Sequence, residues 1–383
     1  MIKIKRKIVV TTGSRSEYGI FRPVMKEILN NRKFDLYTIV AGMHLSKKHG
    51  LTIKEIQKDG FKIYATINMI PEGNSPFFMA KSLGKGVIEF SKIFQKLKPD
   101  INLILGDRDE AFASSLAASH MNIPNAHIHG GDRTQAGIDE YNRHAITKIS
   151  NIHFAATRGS KQRIIRLGEN PKYVFYTGSP SIDEIVEKRI SRKTELEKKY
   201  KINFIGDEIL LIQHPVTTEI ENTEKQINNI LKALVKLKRT VIAIAPNSDS
   251  GNHEIFSKLI QYSKKYKFIK LYKSLPRKDY LGFLQNCSMI VGNSSSAIID
   301  SSYFNIPAIN IGIRQNDREK GKNVLDVKDS IREISSAIIK ASKIKRDKIY
   351  TPVYGKGNAS KKIVNILEKI SLNKELIQKK IFY

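Results

Sequence analysis

The chain has 383 residues, 66 of them Lys or Arg against 37 Asp or Glu, for a formal net charge of +29. A hydrophobic content of 40% takes it out of the disordered class, and the length predicts two domains rather than one core. The single cysteine, Cys287, excludes an internal disulfide framework and any Cys-ligated zinc or iron–sulfur site.

The basic residues 1–7 precede a short apolar run, Ile8, Val9 and Val10, so no signal peptide is expected. No apolar stretch approaches the length of a bilayer span, and a soluble cytoplasmic protein without membrane association is expected. The positive charge would attract polyanions, but the lysines are scattered through amphipathic stretches such as 187–201, 225–238 and 340–348. With no zinc-finger, RNP-like or basic-zipper pattern, no specific nucleic-acid partner is expected.

Short apolar runs at 8–12, 36–41, 101–105, 125–129, 153–156 and 173–176 alternate with helix-like stretches. That alternation predicts a parallel sheet covered by helices on both faces. The rhythm restarts at 208–212, 241–245, 268–272, 289–291 and 308–311, after the Gly/Pro break Thr177-Gly178-Ser179-Pro180. The expected fold class is therefore α/β, with two Rossmann-like doubly wound domains facing across a cleft. The expected divisions are 1–178, 179–355, and a C-terminal helical segment, 356–383, free to pack back on the first domain.

Ligands of open α/β sheets bind beyond the carboxyl ends of the strands, and polar residues collect there. The first run is followed by Gly13-Ser14-Arg15-Ser16, a small-residue loop that brings an arginine and backbone N–H groups to a helix start. It is not a GxGxxG fingerprint. Gly106-Asp107-Arg108-Asp109-Glu110 follows the third run; Asp109 and Glu110 suit a first helical turn, which leaves Asp107 as the chemical candidate. Next comes His127-Ile128-His129-Gly130-Gly131-Asp132, where a two-residue period puts His127 and His129 on one face. Five of the nine histidines lie between His120 and His153, but no recognised ligand spacing accompanies them, and no metal site is assigned. Asp139 starts the helix that carries Arg143 and His144.

In the second series His214 opens Gln213-His214-Pro215-Val216-Thr217-Thr218-Glu219, and Asn247-Ser248-Asp249-Ser250-Gly251 reads as a turn and cap. Gly292-Asn293-Ser294-Ser295-Ser296 is a phosphate cradle at a helix start, with Asp300 a turn further on and suited to a ribose diol. Arg314 adds a fork for phosphate.

Together these strings resemble the hydrolysing UDP-N-acetylglucosamine 2-epimerases that feed sialic acid and legionaminic acid synthesis, over about residues 8–367. The resemblance rests on Gly106-Asp107-Arg108, Ile138-Asp139-Glu140 with Arg143 to Lys148, the His214 string and the Gly292 string. It implies a GT-B-like fold, a homodimer, no cofactor, and a nucleotide held mainly by the second domain. Ser294 and Ser295 would hold the diphosphate, Asp300 the ribose, and Arg314 with Arg15 the phosphates, while His44 and His214 reach the ligand. The implied reaction removes the proton on carbon 2 as UDP departs, giving a glycal, and then adds water with the opposite configuration. Asp107 and Asp139 match two of three family acids. At the third the family usually reads His-Ile-Glu-Gly-Gly, and this chain has His129 there, with one extra residue before Asp139; Asp300 replaces a commoner glutamate. His129 is accordingly expected to take the third catalytic role, on UDP-N-acetylglucosamine or a close relative such as a diacetamido sugar. A nucleotide-sugar-binding protein without catalysis and a GT-B glycosyltransferase are the alternatives.

Overall fold

The computed structural model describes residues 5–47, 50–70, 72–73, 75–135, 137–247, 249–346 and 351–383. Residues 1–4 of the basic N-terminus, Ser248 of the predicted turn and residues 347–348 of the last basic stretch lie outside them.

Two parallel sheets form. The first contains β1 (Arg6–Thr12), β2 (Phe34–Ala41), β3 (Ile63–Ile67), β4 (Ile101–Leu105), β5 (Asn125–Ile128), β6 (Ile152–Ala155) and β7 (Val174–Tyr176), in the order β3-β2-β1-β4-β5-β6-β7. The second contains β8 (Ile209–Ile212), β9 (Val241–Ile244), β10 (Ile269–Tyr272), β11 (Met289–Gly292), β12 (Ala308–Ile311) and β13 (Val324–Val327), in the order β10-β9-β8-β11-β12-β13. The apolar runs mark the central strands, buried on both faces as parallel sheets require, and also the edge strands β7 and β10. Two strands escape that pattern. β3 and β13 are sheet edges, largely half-buried or exposed, so their sequences carry no continuous apolar run.

Each sheet reverses its strand order once, between β1 and β4 and between β8 and β11. Val10 pairs with Leu103 across the first reversal, and Gly292 with Ile212 across the second. The loops leaving these strands diverge on either side, which opens the ligand position expected of such sheets. Gly13, Asp107, His214 and Asn293 all lie in those four loops.

The chain divides into two compact units: Met1–Asp132 with Asp139–Glu184 and Tyr354–Tyr383, and Arg133–Ile138 with Ile185–Val353. In the first, alternate residues of β1 serve opposite faces. Ile8 and Val10 pack with Phe21, Met25 and Ile28, while Val9 packs with Ile39, Phe90 and Phe94. The helix Ala359–Lys369 contributes Ile363, Val364 and Leu367 to the Ile8 face, and Asp183 accepts the N–H groups of Ala359 and Ser360 at its start. In the second unit Ile209 and Leu211 pack with Ile230, Leu234 and Ile338.

Leu367 has no exposed surface although it lies in the C-terminal segment of the first unit. Leu367→Ala is expected to lower the stability of that unit by about 2–5 kcal/mol, the range for a buried leucine truncated in a core that relaxes only partly. Urea unfolding followed by circular dichroism checks it, and an unchanged midpoint would show the helix to be peripheral.

Candidate functional site

The first unit builds its polar centre at the β1/β4 reversal. Ser14 caps the helix Arg15–Asn30 by accepting the N–H of Glu17. Glu17 is buried and accepts the N–H of Gly13 at 2.6 Å. Burial, and then the neighbouring Glu110, push its carboxyl up to about 8. Glu110 pairs with Arg108 at 3.1 Å and fills the space beside Gly42, where φ is +57 and any Cβ would collide with its carboxylate. Arg15 meets Glu55 through both Nε and a terminal nitrogen, so the phosphate role proposed for it requires exchange of that partner. His44 has no exposed surface. Its ring lies 3.1 Å from the Thr12 hydroxyl and 2.6 Å from that of Thr52, and burial, aided by Arg108 and Arg15, lowers its pKa to about 3. A ring held in this way fixes the loop after β1; it does not reach outward as expected.

Arg143 is the focus of the same region. It projects from the helix Ile138–Lys148, is 1% exposed, and forms ion pairs with Asp107 and, at 2.8 Å, Glu140. It also donates to the Asp132 carbonyl at 3.3 Å. Burial works against its charge, but Asp107, Asp132, Glu140 and Asp139 overcome that and raise its pKa further. Asp107 and Asp139 are thus gathered by one guanidinium, with Asp107 keeping part of its surface exposed.

The histidines of this stretch all have partners. His127 is fully buried, its ring 2.7 Å from the Gly106 carbonyl and 3.2 Å from the Thr147 hydroxyl, with its pKa lowered to about 3 by burial. His144 contacts Glu140 and His153 contacts Glu169. Among the described residues no group of three or more His, Cys, Asp or Glu is placed to hold a metal ion. His129 departs from its expected face. β5 ends at Ile128 and His129 has φ +66, so the two-residue period stops before it. Its Nδ1 lies 3.0 Å from Asp132 and its Nε2 2.8 Å from the Ser179 hydroxyl.

The second unit centres on Asn293. Its amide oxygen accepts the His214 N–H at 2.7 Å and its amide nitrogen donates to the His214 carbonyl at 2.9 Å, joining the loops after β8 and β11. His214 Nδ1 accepts the Asn247 N–H. Gly292, at φ +126, cannot carry a Cβ without striking the Ile212 carbonyl. Ser294 and Ser295 stand directly before the helix Ser296–Tyr303, and Arg314 donates to the Asn293 carbonyl at 3.4 Å. Asp300 is 2% exposed and bound by Arg277 through both oxygens, at 2.8 and 3.1 Å, and by the Ser296 hydroxyl. The sequence reading missed Arg277, Asp132 and the role of Arg143. Only Arg143 carried a signal, its spacing of three and four residues from Glu140 and Asp139 on one helix face.

The family described as UDP-N-acetylglucosamine 2-epimerase matches residues 26–368 of the chain. The chain belongs to this family. It is 36% identical over 375 residues, 98% of each chain, to the UDP-N,N'-diacetylbacillosamine 2-epimerase (hydrolyzing) of Legionella pneumophila. With the GDP/UDP-N,N'-diacetylbacillosamine 2-epimerase (hydrolyzing) of Campylobacter jejuni the identity is 35%, covering 84% of each. The crystal structure of the Methanocaldococcus jannaschii UDP-GlcNAc 2-epimerase, in complex with UDP-GlcNAc and UDP, matches with a TM-score of 0.80 at 20% identity, covering 94% of this chain and 99% of that one. The fold is therefore that of the 2-epimerases, of GT-B-like class. No helix of the described residues is long and apolar enough to cross a membrane.

In this member of the 2-epimerase family Glu17 supplies a test of the first polar centre. Its folded carboxyl keeps a proton up to about 8 against an ordinary 4.5, so the folded state holds more protons across that window. Its contribution is complete below the lower value and declines as pH rises to the higher. Glu17→Gln, which mimics the protonated form, should gain on the wild type between about pH 5 and about pH 9. Urea midpoints at both pH values check this, and a constant difference would place Glu17 outside the titrating set.

Proposed function

We propose that the chain is a hydrolysing 2-epimerase that converts a UDP-linked 2-acetamido sugar and water into UDP and the free sugar inverted at carbon 2. The observation that carries this reading is the set of carboxylates gathered by buried Arg143 beside a strand-order reversal, in a chain of this family. Elimination breaks the carbon 1–oxygen bond to UDP while a base takes the carbon 2 proton; hydration places hydroxyl on carbon 1 and returns a proton to the other face of carbon 2. Acid and base groups held in fixed positions are what both halves need. Asp107 and Asp139 supply two of them. Asp132, beside His129 and on the same arginine, supplies the third carboxylate.

The second unit would hold the nucleotide. Ser294, Ser295 and the helix start behind them suit a diphosphate, Arg314 adds charge, His214 flanks the same loops, and Asp300 would receive the ribose in exchange for Arg277. Arg15 would serve phosphate in the same way by leaving Glu55, and His44 supports its loop. A diacetamido sugar is the favoured substrate, because relatives at 36% and 35% identity carry that substrate in their names. The same reading extends to a cytoplasmic homodimer whose product enters sialic-acid-type synthesis, as the family resemblance implies.

Asp107→Asn should keep UDP affinity and lose about 100- to 10,000-fold in turnover, the scale of a general acid or base. Product NMR with UDP-N,N'-diacetylbacillosamine and UDP-N-acetylglucosamine measures it; near-normal turnover would remove Asp107 from the chemistry. Arg314→Ala should weaken UDP binding by about 1.5–3 kcal/mol, the value of a charged hydrogen bond. Equal affinities by calorimetry would place the diphosphate elsewhere.

A further inference from the structure

Asp132, His129 and Ser179 form a line of three buried side chains, with exposures of 2%, 6% and 1%. The separations are 3.0 Å from Asp132 to Nδ1 of His129 and 2.8 Å from Nε2 to the Ser179 hydroxyl. An ionised Asp132 only accepts, which in a neutral ring puts the proton on Nδ1 and leaves Nε2 to accept. Ser179 Oγ already accepts the N–H of Ser181 at 3.2 Å, so its own proton is available for Nε2. The ring then carries its remaining proton on Nδ1 and donates it to Asp132. Both ring nitrogens are thereby used within the protein. A carboxylate oxygen has a second lone pair beyond one hydrogen bond, whereas an imidazole nitrogen has nothing further to offer. The ring therefore acts on the carboxylate, which is the acid of the pair, and not on a ligand directly.

The backbone supports the same assignment. His129 holds φ +66, which residues with a Cβ seldom adopt, and its N–H is tied to the Phe154 carbonyl at 3.1 Å. Ser179 donates its N–H to Tyr354 at 2.9 Å, beside the approach of Gly178 to Gly355. The line therefore runs from the Gly130-Gly131 loop to the two chain segments that leave and re-enter the first unit. Other groups facing Asp132 are Ser160, which donates to its second oxygen at 2.7 Å, Arg163, which bonds Ser160 and the Gly131 carbonyl, and Arg143.

We propose that His129 is a positioning residue for the epimerase reaction: with its tautomer set by Asp132 and Ser179, it holds the Asp132 carboxylate in the orientation that proton transfer at carbon 2 requires. The proposal rests on the reading of Asp132 as a reacting carboxylate. Orientation errors of an ångström cost about 100-fold in rate, so loss of the ring should appear in kcat and not in nucleotide binding.

The test uses the full chain with UDP-N,N'-diacetylbacillosamine and UDP-N-acetylglucosamine, following kcat, KM, deuterium entry at carbon 2, UDP affinity and thermal melting. His129→Ala should lower kcat by about 10- to 100-fold with KM and UDP affinity unchanged. The acid limb of its kcat profile should move to higher pH, because Asp132 loses a donor to its charged form. His129→Asn places an amide nitrogen near the former Nδ1 and tolerates positive φ, so it should recover most of the lost turnover. Ser179→Ala, a milder change should the alanine at 129 fail to fold, should give a smaller loss in the same direction. A His129→Ala enzyme with unchanged kcat and pH profile, beside an inactive Asp132→Asn, overturns the proposal alone. Ser179→Ala as inactive as Asp132→Asn also overturns it, since the hydroxyl would then be a reacting group. Asp132→Asn with wild-type turnover, or wild type inactive on both sugars, overturns the reading of the site and the proposal with it.

Discussion

The guanidinium of Arg143 is the constraint on which the first unit's polar centre depends. A cation with 1% exposure has lost its hydration, and the cost of several kcal/mol is recovered only when countercharges and hydrogen bonds surround it. Those come from three separate places: Asp107 after β4, Asp132 after β5, and Asp139 with Glu140 in the first turn of its own helix. β4 and β5 pair side by side, so the sheet already sets the loops carrying Asp107 and Asp132 next to one another. The arginine ties its own helix to them and supplies the countercharge for their carboxylates. Removing the cation would leave several carboxylates in mutual repulsion, so the pairing holds together what the sheet topology has placed side by side.

The second unit solves a similar problem with a neutral amide at its centre. Asn293 reads both polar groups of His214 with one amide, and its own carbonyl receives Gln315 at 2.9 Å and Arg314. A neutral staple leaves the region rich in donors, which suits an anion, whereas the first unit is rich in acceptors, which suits proton transfer. The close approach of β11 to β8 is possible because Gly292 has no side chain at a backbone angle that few other residues accept. Where Asp300 does bring a charge, Arg277 neutralises it at once.

The sheets were legible because buried parallel strands must be apolar on both faces, and β3 and β13 were not because these two edge strands are largely half-buried or exposed and carry no continuous apolar run. Strand ends located Asp107, His214 and the Ser294 loop for the same topological reason. What the sequence did not carry was partnership. Arg277 precedes Asp300 by 23 positions, and no local pattern announces that they pair. His129 was assigned a face by extending a strand period one residue past the true end of β5, and a positive φ there turned the ring onto Asp132 and Ser179. Periodicity holds only while the backbone stays extended, and functional loops begin where it stops.

The overall charge and the local charge act over different ranges. Lys198, Lys199, Lys225, Lys232, Lys236 and Lys238 all lie on exposed positions, where salt screens a charge within about 8 Å at physiological ionic strength. Such residues can raise the encounter rate of an anionic nucleotide, but they do not set the protonation of a group buried behind a layer of protein. That is governed by nearest neighbours: Glu17 is pushed to about 8 by burial and Glu110 in a chain of net charge +29, while a distant cationic surface would have lowered it. A strongly basic protein can therefore run carboxylate chemistry, because burial and pairing decide the state of each acid before the surface field is felt.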